Sequence, residues 1–241
     1  AVLQLDPRDG RAWTHKASLL LDLEKYEEAV RAYESAVEAN PADPVLWYDK
    51  ARAEFELKSY SDAADSLDRA TRYAPSDTKG WLLLGLSLQG AKRYEQAIAA
   101  FDRTLAIDAK QARAWFGKGA CFQALKRYED AVAAYGQAAT AEPDLAGALS
   151  GQGACLLVLH RYEEALAAFA RVLAVDPKDH SAALGSCDAL AALGRAKDAL
   201  EACTRLTGLD PKDADAWARR ARLAHGAGND KDALAPVTRA A

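Results

Sequence analysis

The 241-residue chain has no methionine, four histidines and four cysteines, and these scarcities exclude most catalytic and metal chemistry. His15, His160, His180 and His225 are scattered. No two stand at i and i+4, and none has a cysteine or carboxylate at metal-ligand spacing. There is no Gly-x-Ser-x-Gly elbow and no phosphate loop, so the sequence predicts no catalytic residue, no cofactor and no metal site. No apolar run approaches the roughly 18 residues of a membrane span. The formal net charge is -4 with no basic stripe, which argues against nucleic acid as a partner. Neither membrane insertion nor nucleic-acid binding is expected.

A strict period is present instead. Trp13, Trp47, Trp81 and Trp115 are spaced 34 residues apart, and Trp217 falls on the same phase, with Leu149 and Ala183 at the two steps between. Tyr26, Tyr60, Tyr94, Tyr128 and Tyr162 mark a second phase. Ala29, Ala63, Ala97, Ala131, Ala165, Ala199 and Ala233 mark a third without exception. Pro7, Pro41, Pro75, Pro143, Pro177 and Pro211 form the fourth, with Ala109 in the remaining place. A fixed period of this length signals stacked supersecondary units, none of which can bury its apolar face alone.

Each repeat reads as two helices. In the fifth, Tyr162, Ala165, Leu166, Phe169 and Leu173 form one apolar stripe on a 3.6-residue period. Ala17, Ala51, Gly85, Gly119 and Gly153 are small where the two helices of a pair would cross. Second helices end before proline, which cannot continue the hydrogen-bond ladder. Asp9, Asp43, Asp77, Asp179 and Asp213 follow two residues later as N-caps, each contributing about 1 kcal/mol. The repeats are 10–43, 44–77, 78–111, 112–145, 146–179, 180–213 and a partial 214–241, with 1–9 as the tail of a preceding one. Gly117-Lys118-Gly119 and Gly151-Gln152-Gly153 fall inside these helices, the wrong context for a phosphate site.

Four details qualify the pattern. Cys121 and Cys155 are one period apart, too distant for a disulfide between stacked helices. Cys187 and Cys203 read as small core residues, so four free thiols and a reducing, cytoplasmic setting are expected. The sixth repeat has Ala183, Cys187, Ala196 and Cys203 where others carry larger groups or glycine, and should be the weakest. Pro236 predicts a kink in the last helix. Both ends lack a capping helix, so the chain reads as a segment of a longer protein.

Trp81-x-x-Leu84-Gly85 with Ala97-x-x-x-Phe101, and Trp115, Gly119, Phe122, Ala131, Tyr135 and Pro143 in the next repeat, resemble the tetratricopeptide repeat pattern. The resemblance implies an all-α fold, a right-handed α-solenoid of stacked antiparallel helix pairs. It also implies that ligands are read from the second, fifth, sixth, ninth, twelfth and thirteenth residues of each repeat, on the first helices. Those positions are polar at the ends, with Asp49 and Arg52 near one and Arg219 and Arg222 near the other. In the third to sixth repeats they are apolar or bare: Leu82, Leu83, Leu86, Phe116, Gly117, Ala120, Gly151, Leu157, Leu184 and Gly185. Glycine at one phase in three successive repeats costs about 1 kcal/mol each in helical propensity, and a repeated cost needs a reason. One reading makes these leucines core and the glycines drift. The other makes a groove with a bare-backbone floor for a partner helix or extended apolar peptide. The chain lacks the lysine and asparagine pair with which relatives clamp a terminal carboxylate, since Thr14 and Ser18, Tyr48 and Arg52, and Leu82 and Leu86 stand there. It also lacks an asparagine ladder, having only Asn40 and Asn229.

The expected function is therefore a protein-interaction scaffold, not an enzyme. The alternatives are a regulatory or substrate-docking arm of a larger enzyme, and a structural element that self-associates through its array ends.

Overall fold

The structure, a computed structural model, describes residues 9–226. Among these residues there are thirteen helices and no strand. They are α1 (Gly10–Asp22), α2 (Tyr26–Ala39), α3 (Pro44–Glu56), α4 (Tyr60–Tyr73), α5 (Thr78–Gly90), α6 (Tyr94–Ile107), α7 (Ala112–Ala124), α8 (Tyr128–Ala141), α9 (Ala146–Val158), α10 (Tyr162–Val175), α11 (His180–Ala192), α12 (Ala196–Leu209) and α13 (Ala214–Gly226). The expected tail at 1–8 and the kink at Pro236 lie outside the described residues. Contacts divide the chain between Cys121 and Phe122, within α7, into two compact units. In the first, α1 to α5 each pack on the next helix; in the second, α8 to α12 do the same. The fold is an all-α solenoid.

The same local chemistry recurs in most repeats, although Gln111 and Leu145 replace the capping aspartate before the fourth and fifth. The Asp9, Asp43, Asp77, Asp179 and Asp213 carboxylates accept hydrogen bonds from backbone N–H groups of the first turn that follows, as expected of N-caps. The turn inside each pair is punctuated at one phase by a left-handed residue: Glu24, Lys58, Lys92, Lys126, His160 and Gly194, with φ between 59° and 70°. Five of these six are not glycine, so the chain tolerates a conformation that disfavours a Cβ in order to reverse direction. The tryptophans do more than fill space. Trp47, Trp81, Trp115 and Trp217 donate their indole N–H to the carbonyls of Pro41, Pro75, Ala109 and Pro211, at 2.8–3.0 Å. Each ring thus locks its first helix to the end of the preceding second helix.

The buried centre of a repeat is the large residue of its second helix. Phe101 on α6 is fully buried, and its ring lies where a Cβ on Gly85 or Gly117 would fall, 2.5 and 2.4 Å from the nearest ring atoms. Phe169 on α10 sits in the same way between Gly153 and Gly185, at 2.6 and 2.3 Å. Tyr135 on α8 occupies the space above Gly151, at 2.6 Å, and its hydroxyl bonds to Gln123 Oε1 at 2.8 Å. Each ring therefore needs a missing side chain on the next first helix, and two of them also need one on their own. The glycines at this phase are neither drift nor a floor left bare for a partner: core rings fill the space their Cβ atoms would take.

The cysteines require a correction. Cys121 and Cys155 are free and fully buried, and burial pushes their thiols up to about 12 and about 11. Cys187 and Cys203 are instead joined as a disulfide. Their residues face each other where α11 and α12 cross, with Cα atoms 5.5 Å apart, inside the bridging range. Their phases make them small core residues, but phase alone does not show that they face each other across the helix pair. The cysteines consequently give no support to a reducing compartment.

Two predictions follow from this packing. In an ordinary helix interior Gly→Ala stabilises by about 1 kcal/mol, but Gly117→Ala must destabilise by about 1–3 kcal/mol, because the buried Phe101 ring cannot yield. Urea denaturation measures the sign; a stabilised Gly117→Ala variant would exclude ring packing as the reason for glycine. The sixth repeat is the second case. Its core is a small cluster of Cys187, Leu190, Ala199, Ala202 and Cys203, and Ala183 leaves a cavity of ≈ 190 Å³ beside Leu173 and Ala202. With the disulfide reduced, amide exchange should be fastest from His180 onward and slowest from Thr78 to Pro177. Faster exchange in the third and fourth repeats than in the sixth would contradict the argument.

Candidate functional site

Within the first compact unit, the first helices α3, α5 and α7 carry Asp49, Arg52, Leu82, Leu83, Leu86, Phe116, Gly117 and Ala120. Leu82, Leu83 and Leu86 are only partly buried, packed against a cluster that includes Leu67, Leu84 and Phe101. Phe116 and Ala120 are also half-covered, whereas Gly117 is buried under the Phe101 ring. The leucines are therefore shared between core and surface. Leu83 holds the glycine phase of the third repeat, where the preceding second helix offers Leu67 rather than an aromatic ring, and there a side chain fits.

Within the second unit, α9, α11 and α13 carry Gly151, Leu157, Leu184, Gly185, Arg219 and Arg222. Leu157 is half-buried and its neighbour Val158 is 51% exposed. Leu184 packs against a cluster of Ala183, Leu206 and Ala216. Gly185 is buried beneath the Phe169 ring, and Gly151 is half-covered by Tyr135.

Three of the four expected rim charges already have partners. Arg52 Nη1 donates to Asp49 Oδ1 at 3.2 Å within the same helix. Burial raises the Asp49 carboxyl above the usual range, and the hydrogen bond from Arg52 opposes this. Arg219 Nε donates to Asp188 Oδ1 at 2.8 Å, joining α13 to α11. Arg222 is exposed, and its Nε donates to the Ala218 carbonyl of its own helix at 3.3 Å. These ion pairs tie neighbouring side chains together first and are available to a ligand only by exchange.

Sequence reasoning missed one buried polar group. Glu54 on α3 is 4% exposed, yet both oxygens are partnered, by Lys50 Nζ at 2.7 Å and Ser66 Oγ at 2.7 Å. A residue pattern with no counterpart in other repeats gives no period to reveal it. With all its members satisfied, the trio joins α3 to α4 and offers no reactive group. Among the described residues no three His, Cys, Asp or Glu side chains converge as a metal site, and no helix is long and apolar enough to cross a membrane.

Comparison with known proteins agrees with the fold. Among curated proteins none matches the chain in sequence. Of the solved structures, the C-terminal part of a TPR repeat-containing protein from Cytophaga hutchinsonii is similar over 94% of this chain and 93% of its own, with a TM-score of 0.81 at 17% identity. YrrB, described as a TPR protein with an unusual peptide-binding site, is similar over 75% of this chain and 93% of its own, with a TM-score of 0.66 at 19% identity. PilW, a widely conserved type IV pilus biogenesis factor, covers 86% of this chain and 96% of its own, with a TM-score of 0.67 at 21% identity. Likeness at these identities speaks for the fold alone. In sequence, tetratricopeptide repeat profiles match residues 1–44, 14–78, 82–146, 124–186 and 156–223, nearly the whole length, and the chain belongs to the tetratricopeptide repeat family.

Proposed function

We propose that the protein is a non-catalytic interaction scaffold whose first helices receive an apolar or amphipathic segment of a partner protein. One observation carries this reading: apolar side chains recur on the ligand-facing phases of α5, α7, α9 and α11, and their own repeats leave them half-covered. Leu82, Leu86 and Phe116 belong to the first compact unit; Leu157 and Leu184 belong to the second. Completing the burial of such side chains contributes about 25 cal/mol per Å² before the costs of association are deducted. Family membership supports the reading, and so does the peptide-binding site ascribed to YrrB. The glycines contribute indirectly, since Gly117, Gly151 and Gly185 admit the rings that set the spacing of these helices. Arg52, Asp49, Arg219 and Arg222 act on specificity and on-rate rather than on affinity.

A photo-crosslinking residue placed at Leu86 or Leu157 should capture one partner protein in the native host. The same residue at the exposed second-helix positions Arg103 or Glu163 should not. The folded variant Leu86→Asp, its helicity checked by circular dichroism, should bind that partner at least about tenfold more weakly, the loss of one buried apolar contact. Equal capture from Arg103 and Glu163, capture only of another copy of this chain, or unchanged binding by Leu86→Asp would refute the proposal.

A further inference from the structure

The repeat period marks a place in the sixth repeat where a tryptophan ring is missing while its neighbours are kept. In the second repeat the Trp47 indole donates to the Pro41 carbonyl at 2.8 Å, and the Arg69 guanidinium lies over the ring, 4.8 Å from its centroid. Adding four periods moves Trp47 to Ala183, Pro41 to Pro177 and Arg69 to Arg205. The acceptor and the cation are therefore retained in the sixth repeat while the ring is gone. The space it would fill is a cavity of ≈ 190 Å³ lined by Leu173, Pro177, Ala183, Ser186, Ala202 and Arg205. Among the described residues no hydrogen bond reaches the Pro177 carbonyl, and the Ser186 hydroxyl is turned to the Ala182 carbonyl at 2.8 Å.

The fifth repeat shows what happens when a lost tryptophan is compensated. Leu149 takes its place and is 1% exposed, and Arg171, on the same phase as Arg205, brings Nη2 to 3.5 Å from the Pro143 carbonyl. The sixth repeat has neither remedy, since Ala183 is too small to fill the space. An apolar cavity of about 150 Å³ already holds a benzene ring. The cavity here is half-open and slightly larger, and it is lined by Pro177 and Arg205, whose counterparts Pro41 and Arg69 offer a carbonyl and a guanidinium to the Trp47 ring; it suits a bicyclic aromatic that has an N–H donor and a face for the cation.

We propose that this cavity is a binding slot for an indole ring supplied from outside the repeat. The ring lies against Leu173 and Ala202 beside Arg205, and its N–H donates to the Pro177 carbonyl as the intrinsic tryptophans do to theirs. This inference does not depend on the partner face of the first helices. Occupancy restores the lock between α11 and the end of α10, so the ligand should also stabilise the sixth repeat.

The test titrates 3-methylindole into the 241-residue chain, with saturation-transfer NMR reading binding and thermal unfolding reading stability. Binding with a raised Tm is expected, and 1,3-dimethylindole, which has no N–H, should bind about tenfold more weakly. Ala183→Trp should abolish binding and raise Tm without ligand; should it fail to fold, Ala183→Leu, which copies the fifth repeat, serves as the blocked variant. Arg205→Ala should weaken binding severalfold. N-acetyltryptophan amide distinguishes the source: tighter binding than 3-methylindole assigns the ring to a partner chain, and weaker binding assigns it to a free small molecule. No binding of either probe, equal affinity for the dimethyl compound, or undiminished binding by a folded blocked variant would overturn the proposal.

Discussion

Everything in this structure depends on a side chain that is absent opposite one that is large. Phe101 and Phe169 each occupy the space of two missing Cβ atoms, one on their own first helix and one on the next, and Tyr135 occupies that of Gly151 on the next. Because interiors are packed to crystal density, the choice at one position dictates the choice 16 residues later. Phe101 is answered by Gly117, Tyr135 by Gly151 and Phe169 by Gly185; Leu67, which is smaller, is answered by Leu83. The first junction is the exception, with Tyr33 followed at this offset by Asp49, whose carboxyl is raised by burial. The helix-propensity cost of each glycine is offset by burial of a whole aromatic ring, which contributes about 1.5–3 kcal/mol.

The period made the fold legible. Residues such as Trp47 and Ala63 recur because each repeat solves the same packing problem, and the same recurrence placed the helix pairs and the aspartate caps. What the period did not reveal were contacts between different phases. Gly117 read as an open floor because the ring that fills it belongs to another repeat's second helix. Cys187 and Cys203 read as unpaired because comparison ran along the period rather than across the helix pair. Glu54, Lys50 and Ser66 were invisible because nothing repeats them. The candidate face was legible only as a list of phases, since sequence does not say how a leucine such as Leu86 divides its surface between core and solvent.

This separation of roles organises the function. Rings and glycines set the spacing of first helices, the indole-to-carbonyl bonds of Trp47, Trp81, Trp115 and Trp217 fix their repeats to the ones before, and under the proposed function the half-covered side chains are left to meet the partner. The sixth repeat lacks the second of these devices, as the fifth does, and departs from the fifth in its ring position, where Cys203 and Cys187 meet instead of a ring and a glycine. A repeat that has lost both internal locks is a natural place for an external group to act on the array.

The central claim, that ring and glycine form one packing unit, is tested most directly by a double-mutant cycle on Phe169 and Gly185, read by urea denaturation. Gly185→Ala should cost about 1–3 kcal/mol with Phe169 present and close to nothing in the Phe169→Leu background, a coupling of at least about 1 kcal/mol. If the two substitutions were additive, the glycine would have some other reason and the account of the stacking would fail.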